Sequence, residues 1–248
     1  MELKIIHLYP DLMSLYGSYA NVALLRRHLT DLGHTVTVET AAPGRTPGLA
    51  GADFLFLGAG TERSQRAAMA DLARLAPELR SAAADGVSML FCGTAMELLG
   101  ASVTDAGGNA FDGLGLAAFS SVQGRERLVG DVYGRTDLFD SPIVGYQNKC
   151  ARISGVETPL LRECVMGFGN EAEHGPEGFR LGNVYASELT GPLLVKNPAL
   201  LRLVVNGICA RRGAALPETV PVYPFEEKSY AVTEQQLRLR AEKGGAAK

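Results

Sequence analysis

Phe54-Leu55-Phe56-Leu57-Gly58-Ala59-Gly60 is a run of four large apolar residues ended by a Gly-rich turn. A helical stretch follows from about Ser64. Such a run suits a buried parallel strand, and its turn delivers the chain into a helix. The unit recurs at Ser88 to Phe91, which is closed by Cys92-Gly93 and followed by an expected helix from Thr94 to Leu99. It also recurs upstream. Lys4 to Leu8 reads as a first strand and Thr35 to Val38 as a second. Between them lies a helix capped by Asn21, running through Leu24, Leu25 and Leu29 to Leu32 and stopped by Gly33. Ala41 to Gly51, rich in Pro and Gly, reads as a surface loop. This alternation predicts a parallel sheet with helices on both faces. Sites in such sheets lie outside the carboxyl ends of the strands, so Gly58-Ala59-Gly60 and Cys92 are expected to face one crevice.

Further along, the character changes. Gly107 to Glu173 is rich in Gly, with short β-like runs at Leu128 to Val132, Ile143 to Gln147 and Cys164 to Phe168, which predicts a mixed extension of the sheet. Ala199 to Ala210 reads as a late helix started by Asn197-Pro198. Residues 1–212 are expected to form one domain. Residues 213–248 are expected to form a polar tail, helical near Glu234 to Lys243 and frayed at Gly244-Gly245-Ala246-Ala247-Lys248.

The bulk numbers narrow the function. The chain has 248 residues, is 46% apolar and carries a formal net charge of -3. Mild acidity with scattered basic residues argues against nucleic acid. No run is apolar enough to span a bilayer, and Met1 to Ile6 reads as strand rather than signal peptide. The four cysteines lack metal-ligand spacing and are expected to be reduced, in a cytoplasmic protein without metal or other cofactor. There is no phosphate-binding Gly-x-x-x-x-Gly-Lys-[Ser/Thr] motif.

Cys92 is the candidate for chemistry. A cysteine between a buried strand and a helix has a helix N-terminus to lower its pKa, and the small neighbours Gly93 and Ala95 let backbone amides approach an oxyanion. A buried structural cysteine fits the same position equally well. Cys150, Cys164 and Cys209 lie in or beside apolar runs and read as core or bystander residues.

Several segments together resemble a known family. They are Leu8-Tyr9-Pro10-Asp11-Leu12-Met13-Ser14-Leu15-Tyr16-Gly17, Leu57 to Gln65, Arg127-Leu128-Val129-Gly130-Asp131, Val144-Gly145-Tyr146-Gln147-Asn148 and Gly191-Pro192-Leu193-Leu194-Val195-Lys196-Asn197-Pro198. From about Ile5 to Ala210 the chain resembles the cobyric-acid-synthase-like class I glutamine amidotransferases, nearest the branch of GatD subunits of lipid II isoglutaminyl synthase. The resemblance implies a three-layer, flavodoxin-like α/β glutaminase fold. It also implies a heterodimer with a Mur-ligase-like, MurT-like subunit that uses ATP, with ammonia from glutamine passing to a peptidoglycan precursor. Cys92 matches the nucleophile, Arg127 an arginine that holds glutamine (with Arg125 competing for that match), and Gly60 the oxyanion-side loop.

Two departures stand out. Thr190 occupies the place of the family histidine, and Cys92-Gly93-Thr94-Ala95 replaces Cys-Gly-Gly-aromatic. Threonine is no base near neutral pH. His174 is the substitute base on offer, or else a solvent-facing loop residue, and Glu188 is another option. His7, His28 and His34 read as structural or surface residues. Two rival readings follow: a pseudo-amidotransferase that binds or regulates a partner, and an amidotransferase of corrinoid-type biosynthesis.

Overall fold

The computed structural model describes residues 1–45, 47–171, 174–215, 221 and 223–246, with side chains described up to 243. The first half alternates as its sequence requires. Strand β1 (Glu2–Leu8) leads through a 3-10 turn (Leu15–Gly17) to α1 (Ala20–Asp31), β2 (Thr35–Ala41) and β3 (Phe54–Leu57). Then come α2 (Glu62–Leu72), α3 (Ala76–Ala84) and β4 (Ser88–Cys92), which runs into a 3-10 helix, Gly93–Leu99. The later strands are β5 (Ser102–Thr104), β6 (Ala110–Asp112), β7 (Ser120–Arg135), β8 (Ile143–Ser154), β9 (Glu163–Met166), β10 (Phe179–Leu181), β11 (Val184–Ser187) and β12 (Leu189–Thr190). Helices α4 (Leu193–Lys196), α5 (Pro198–Arg211) and α6 (Pro224–Ala246) complete the chain.

One sheet has the order β10-β11-β4-β3-β1-β2, all parallel except the β10 edge. Period-two alternation divides its side chains between two layers. Met89 and Phe91 pack with Leu72 of α2 and Leu79 of α3. Leu90 and Cys92 pack with Leu25 of α1 and Val204 of α5. Helices on both faces of a buried parallel sheet make the three-layer architecture expected from the sequence.

The Gly-rich middle forms a second sheet, β12-β8-β7-β5-β6 with β9 beside β7. Its long β7–β8 hairpin is interrupted by a bulge between Gln123 and Leu128. Arg127 lies within that irregular stretch of β7, and bulges of this kind bend a strand and re-aim its side chains.

Three local expectations change. Asn21 does not cap α1; it lies inside the helix, fully buried, donating to the Ser18 carbonyl at 2.9 Å and accepting from the Leu194 amide at 2.8 Å. It ties α1 to α4 instead. The cap at α2 is Thr61, whose side chain accepts from the Ser64 amide at 3.1 Å, so that helix opens at Glu62. The C-terminal helix begins at Pro224 rather than near Glu234. It lies against the second sheet through buried Leu237, a 3.0 Å Tyr133–Glu234 hydrogen bond and a 2.7 Å Arg240–Asp131 ion pair. The frayed end expected at 244–248 falls at and beyond the last described side chains.

Candidate active site

The crevice opens where β3 and β4 end, with the second sheet as its far wall. Its floor and rim include Gly60, Glu62, Gly93, Arg127, Lys149 and Thr190. The crevice thus lies where ligands of such sheets are expected, outside the carboxyl ends of the strands. Gly58 and Gly60 are glycine for closeness of packing. A Cβ on Gly58 would stand 2.4 Å from the Met13 carbonyl oxygen, and one on Gly60 2.3 Å from the Met13 sulfur. The loop after β1 is thereby pressed onto the β3–α2 turn.

Arg127 reaches the crevice. Its guanidinium donates to Glu62 at 2.9 Å, to the Asn148 side chain at 2.5 Å and to the Asn148 carbonyl at 2.9 Å. Arg125 lines the neighbouring cleft beside Asp105 and Cys150. Gly60 also lines the crevice, and its amide is engaged: it donates to the Thr94 hydroxyl at 3.0 Å, and that hydroxyl donates back to the Gly60 carbonyl at 3.1 Å. Glu62, which the sequence did not single out, accepts from both Arg127 and the Cys150 thiol. Against the pull of desolvation, a bond from its own backbone amide, followed by those from Arg127 and Cys150, holds its carboxyl below the usual range.

Cys92 does not face the crevice with Gly58-Ala59-Gly60 as expected: β4 runs one residue past Phe91 to include it, and its side chain is fully buried in the α1–α5 layer. Burial pushes its thiol pKa up, and the nearby Glu177 carboxylate adds to the rise. The residue after the strand that faces the crevice is Gly93, with φ +61°.

Thr190 stands beside Gly93, almost fully buried, and donates to the Tyr146 carbonyl at 3.0 Å. His174 lies on an exposed turn at φ +59°, with Nδ1 3.0 Å from the Val165 carbonyl oxygen, and is not part of the crevice wall. His7 and His28 are buried in the core and their pKa values are lowered to about 4, chiefly by desolvation. His34 sits by the N-terminus, near Cys209.

Beneath the crevice is a buried polar network that sequence reading missed except for Glu188. Lys149 is 4% exposed, pairs with Glu188 and donates to the Gly169 carbonyl at 2.6 Å. Burial raises the Glu188 carboxyl pKa while Lys149 opposes the rise. Glu177 is pushed up to about 7 by burial. Glu97 accepts from Ser121 at 2.6 Å and from Gln123 at 2.9 Å, and its pKa is also raised by desolvation. No group of three or more His, Cys, Asp or Glu side chains among the described residues could hold a metal ion. Nor is any described helix long and apolar enough to cross a membrane.

Two curated relatives are similar along most of their length. Both are lipid II isoglutaminyl synthase (glutamine-hydrolyzing) subunit GatD. The Staphylococcus aureus protein is 29% identical over 230 residues, covering 92% of this chain and 89% of that one. The Streptococcus pneumoniae protein is 31% identical over 217 residues, covering 86% and 83%. Among solved structures, PurLQS from Thermotoga maritima shares the fold with a TM-score of 0.53 at 15% identity, covering 84% of this chain and 98% of that one. A crystal structure of a glutamine amidotransferase does so with a TM-score of 0.51 at 14% identity, covering 82% and 98%. Residues 4–198 match the model of the CobB/CobQ-like glutamine amidotransferase domain. The chain belongs to the CobB/CobQ-like glutamine amidotransferase family.

Proposed function

We propose that this chain is the amidotransferase subunit of a two-subunit ligase of the lipid II isoglutaminyl synthase type. The observation that carries this reading is the likeness to two GatD subunits along most of both chains. A Mur-ligase-like, MurT-like subunit would bind ATP and activate a glutamate carboxylate of the peptidoglycan precursor. The assembly would work in the cytoplasm, where ATP is supplied. Glutamine would enter the crevice with its α-carboxylate on Arg127, a guanidinium suited to bidentate pairing. The Gly60 backbone would lie beside its carboxamide.

Hydrolysis in that frame needs a thiolate. If Cys92 supplied it, the sulfur would attack the carboxamide carbon, the C–N bond would break, and ammonia would leave with a proton from a general acid. Water would then cleave the thioester to glutamate. His174 would have to be carried into the crevice by partner docking to serve as that acid and base. A second reading keeps the subunit and the partner but not the hydrolysis. It is favoured by the full burial of Cys92 and by Thr190 at the place expected for histidine.

Co-expression with a Mur-ligase-like subunit tests the assembly. Co-elution on gel filtration is the expected result, and clean separation of the two chains would count against it. Glutamate release by the purified complex then separates the two readings.

A further inference from the structure

We infer that Gly93, not Cys92, holds the nucleophile's place at the strand-to-helix turn, and that Ala59, Thr94 and Thr190 close the site around it. The turn after β4 would then present no thiol to glutamine. The inference rests on the amidotransferase reading of the crevice and adds to it which residue stands where the chemistry would occur.

A nucleophile at a strand-to-helix elbow sits on a sharp, strained turn that lifts its side chain above the sheet. Here the residue with that backbone is Gly93, at φ +61°. Cys92 has ordinary strand angles, φ -116° and ψ 143°, and shares the buried face of Leu90. The direction of a side chain at 93 makes the same point. Its Cβ would stand 3.8 Å from Thr190 Cγ2, so positions 93 and 190 face each other as a nucleophile and base would. That space is already taken, because the same Cβ would be 2.7 Å from the Ala59 methyl. The Thr94 hydroxyl meanwhile engages both polar groups of the Gly60 peptide, where an oxyanion would need the amide free. Three neighbouring side chains thus fill or satisfy the three places that thioester chemistry would use. The partner's amidation would then draw on ammonia released by a separate deaminating or amide-hydrolysing reaction.

The test is glutamate release from glutamine by the complex with the Mur-ligase-like subunit. Complex formation is measured first by gel filtration, so failure of the assembly reading is seen independently. The wild-type complex is expected to release no glutamate above a Cys92→Ser complex. An Ala59→Gly/Gly93→Cys/Thr190→His complex is expected to exceed wild type by at least about a hundred-fold. Wild-type release that Cys92→Ser abolishes would overturn the inference. So would a folded, partner-bound triple variant that remains at the wild-type level.

Discussion

The methyl group of Ala59 lies 2.7 Å from the point where a Cβ on Gly93 would stand, so the turn after β3 and the turn after β4 interlock at one missing side chain. Gly93→Ala therefore carries two penalties, a left-handed backbone for a residue with a Cβ and a clash with Ala59. Together these amount to roughly 2–4 kcal/mol. Pairing it with Ala59→Gly is expected to recover the clash portion. A double-mutant cycle in urea measures the coupling, and strictly additive effects would show that the two turns do not touch.

Lys149 and Glu188 form an ion pair with both side chains almost fully buried, which makes the loss of one partner worse than the loss of both. Lys149→Met should lower stability by roughly 3–5 kcal/mol at pH 8. The loss should shrink as pH falls. Without the lysine, the raised Glu188 and Glu177 carboxyls bind protons more readily in the folded chain than in the unfolded one. Equal losses at pH 8 and pH 5 would contradict this.

His7 gives a pH dependence of the opposite sign. Its pKa is lowered to about 4 in the fold from an ordinary 6.5, so between those values the unfolded chain binds the extra proton. Stability from this group is present above pH 6.5 and is lost as pH falls towards 4, on the order of 3 kcal/mol in all. Glu177 works against it between about pH 4.5 and 7, so the readout is the difference between wild type and His7→Gln. Denaturant midpoints that track each other across the range would refute the assignment.

Leu237 is 5% exposed and is the buried apolar anchor of α6 against Tyr133 and Val144. Leu237→Ala should cost about 2–3 kcal/mol locally. It should release the helix to proteolysis before the rest of the chain unfolds, as limited digestion followed by mass spectrometry would report.

The parallel sheet was legible in the sequence because each strand there is a short apolar run beside a turn signal. β3 is Phe54–Leu57 in both the expectation and the structure. The β4 elbow was harder to read. A cysteine at a strand end advertises chemistry, but parity within Ser88–Cys92 puts Cys92 on the face of Leu90, among α1 and α5. That parity was readable, and so was the glycine immediately after the strand. What sequence could not give was the φ of Gly93 or the approach of Ala59 from another strand, because both depend on how β3 and β4 lie side by side. The Lys149–Glu188 and Glu97–Gln123 contacts were hidden for the same reason, joining residues far apart in sequence. Asn21 looked like a cap by residue type, yet its amide bonds α4, which follows much later in the chain.

The most direct measurement of the elbow is intact-mass analysis of the partner-bound complex after incubation with 6-diazo-5-oxo-L-norleucine, a glutamine analogue that alkylates a thiol placed to attack the glutamine carboxamide. With Cys92 in the core layer and Gly93 at the turn, the wild-type chain should keep its unmodified mass. The Ala59→Gly/Gly93→Cys/Thr190→His chain should gain one adduct, mapping to position 93. An adduct on Cys92 of the wild-type chain would contradict the account.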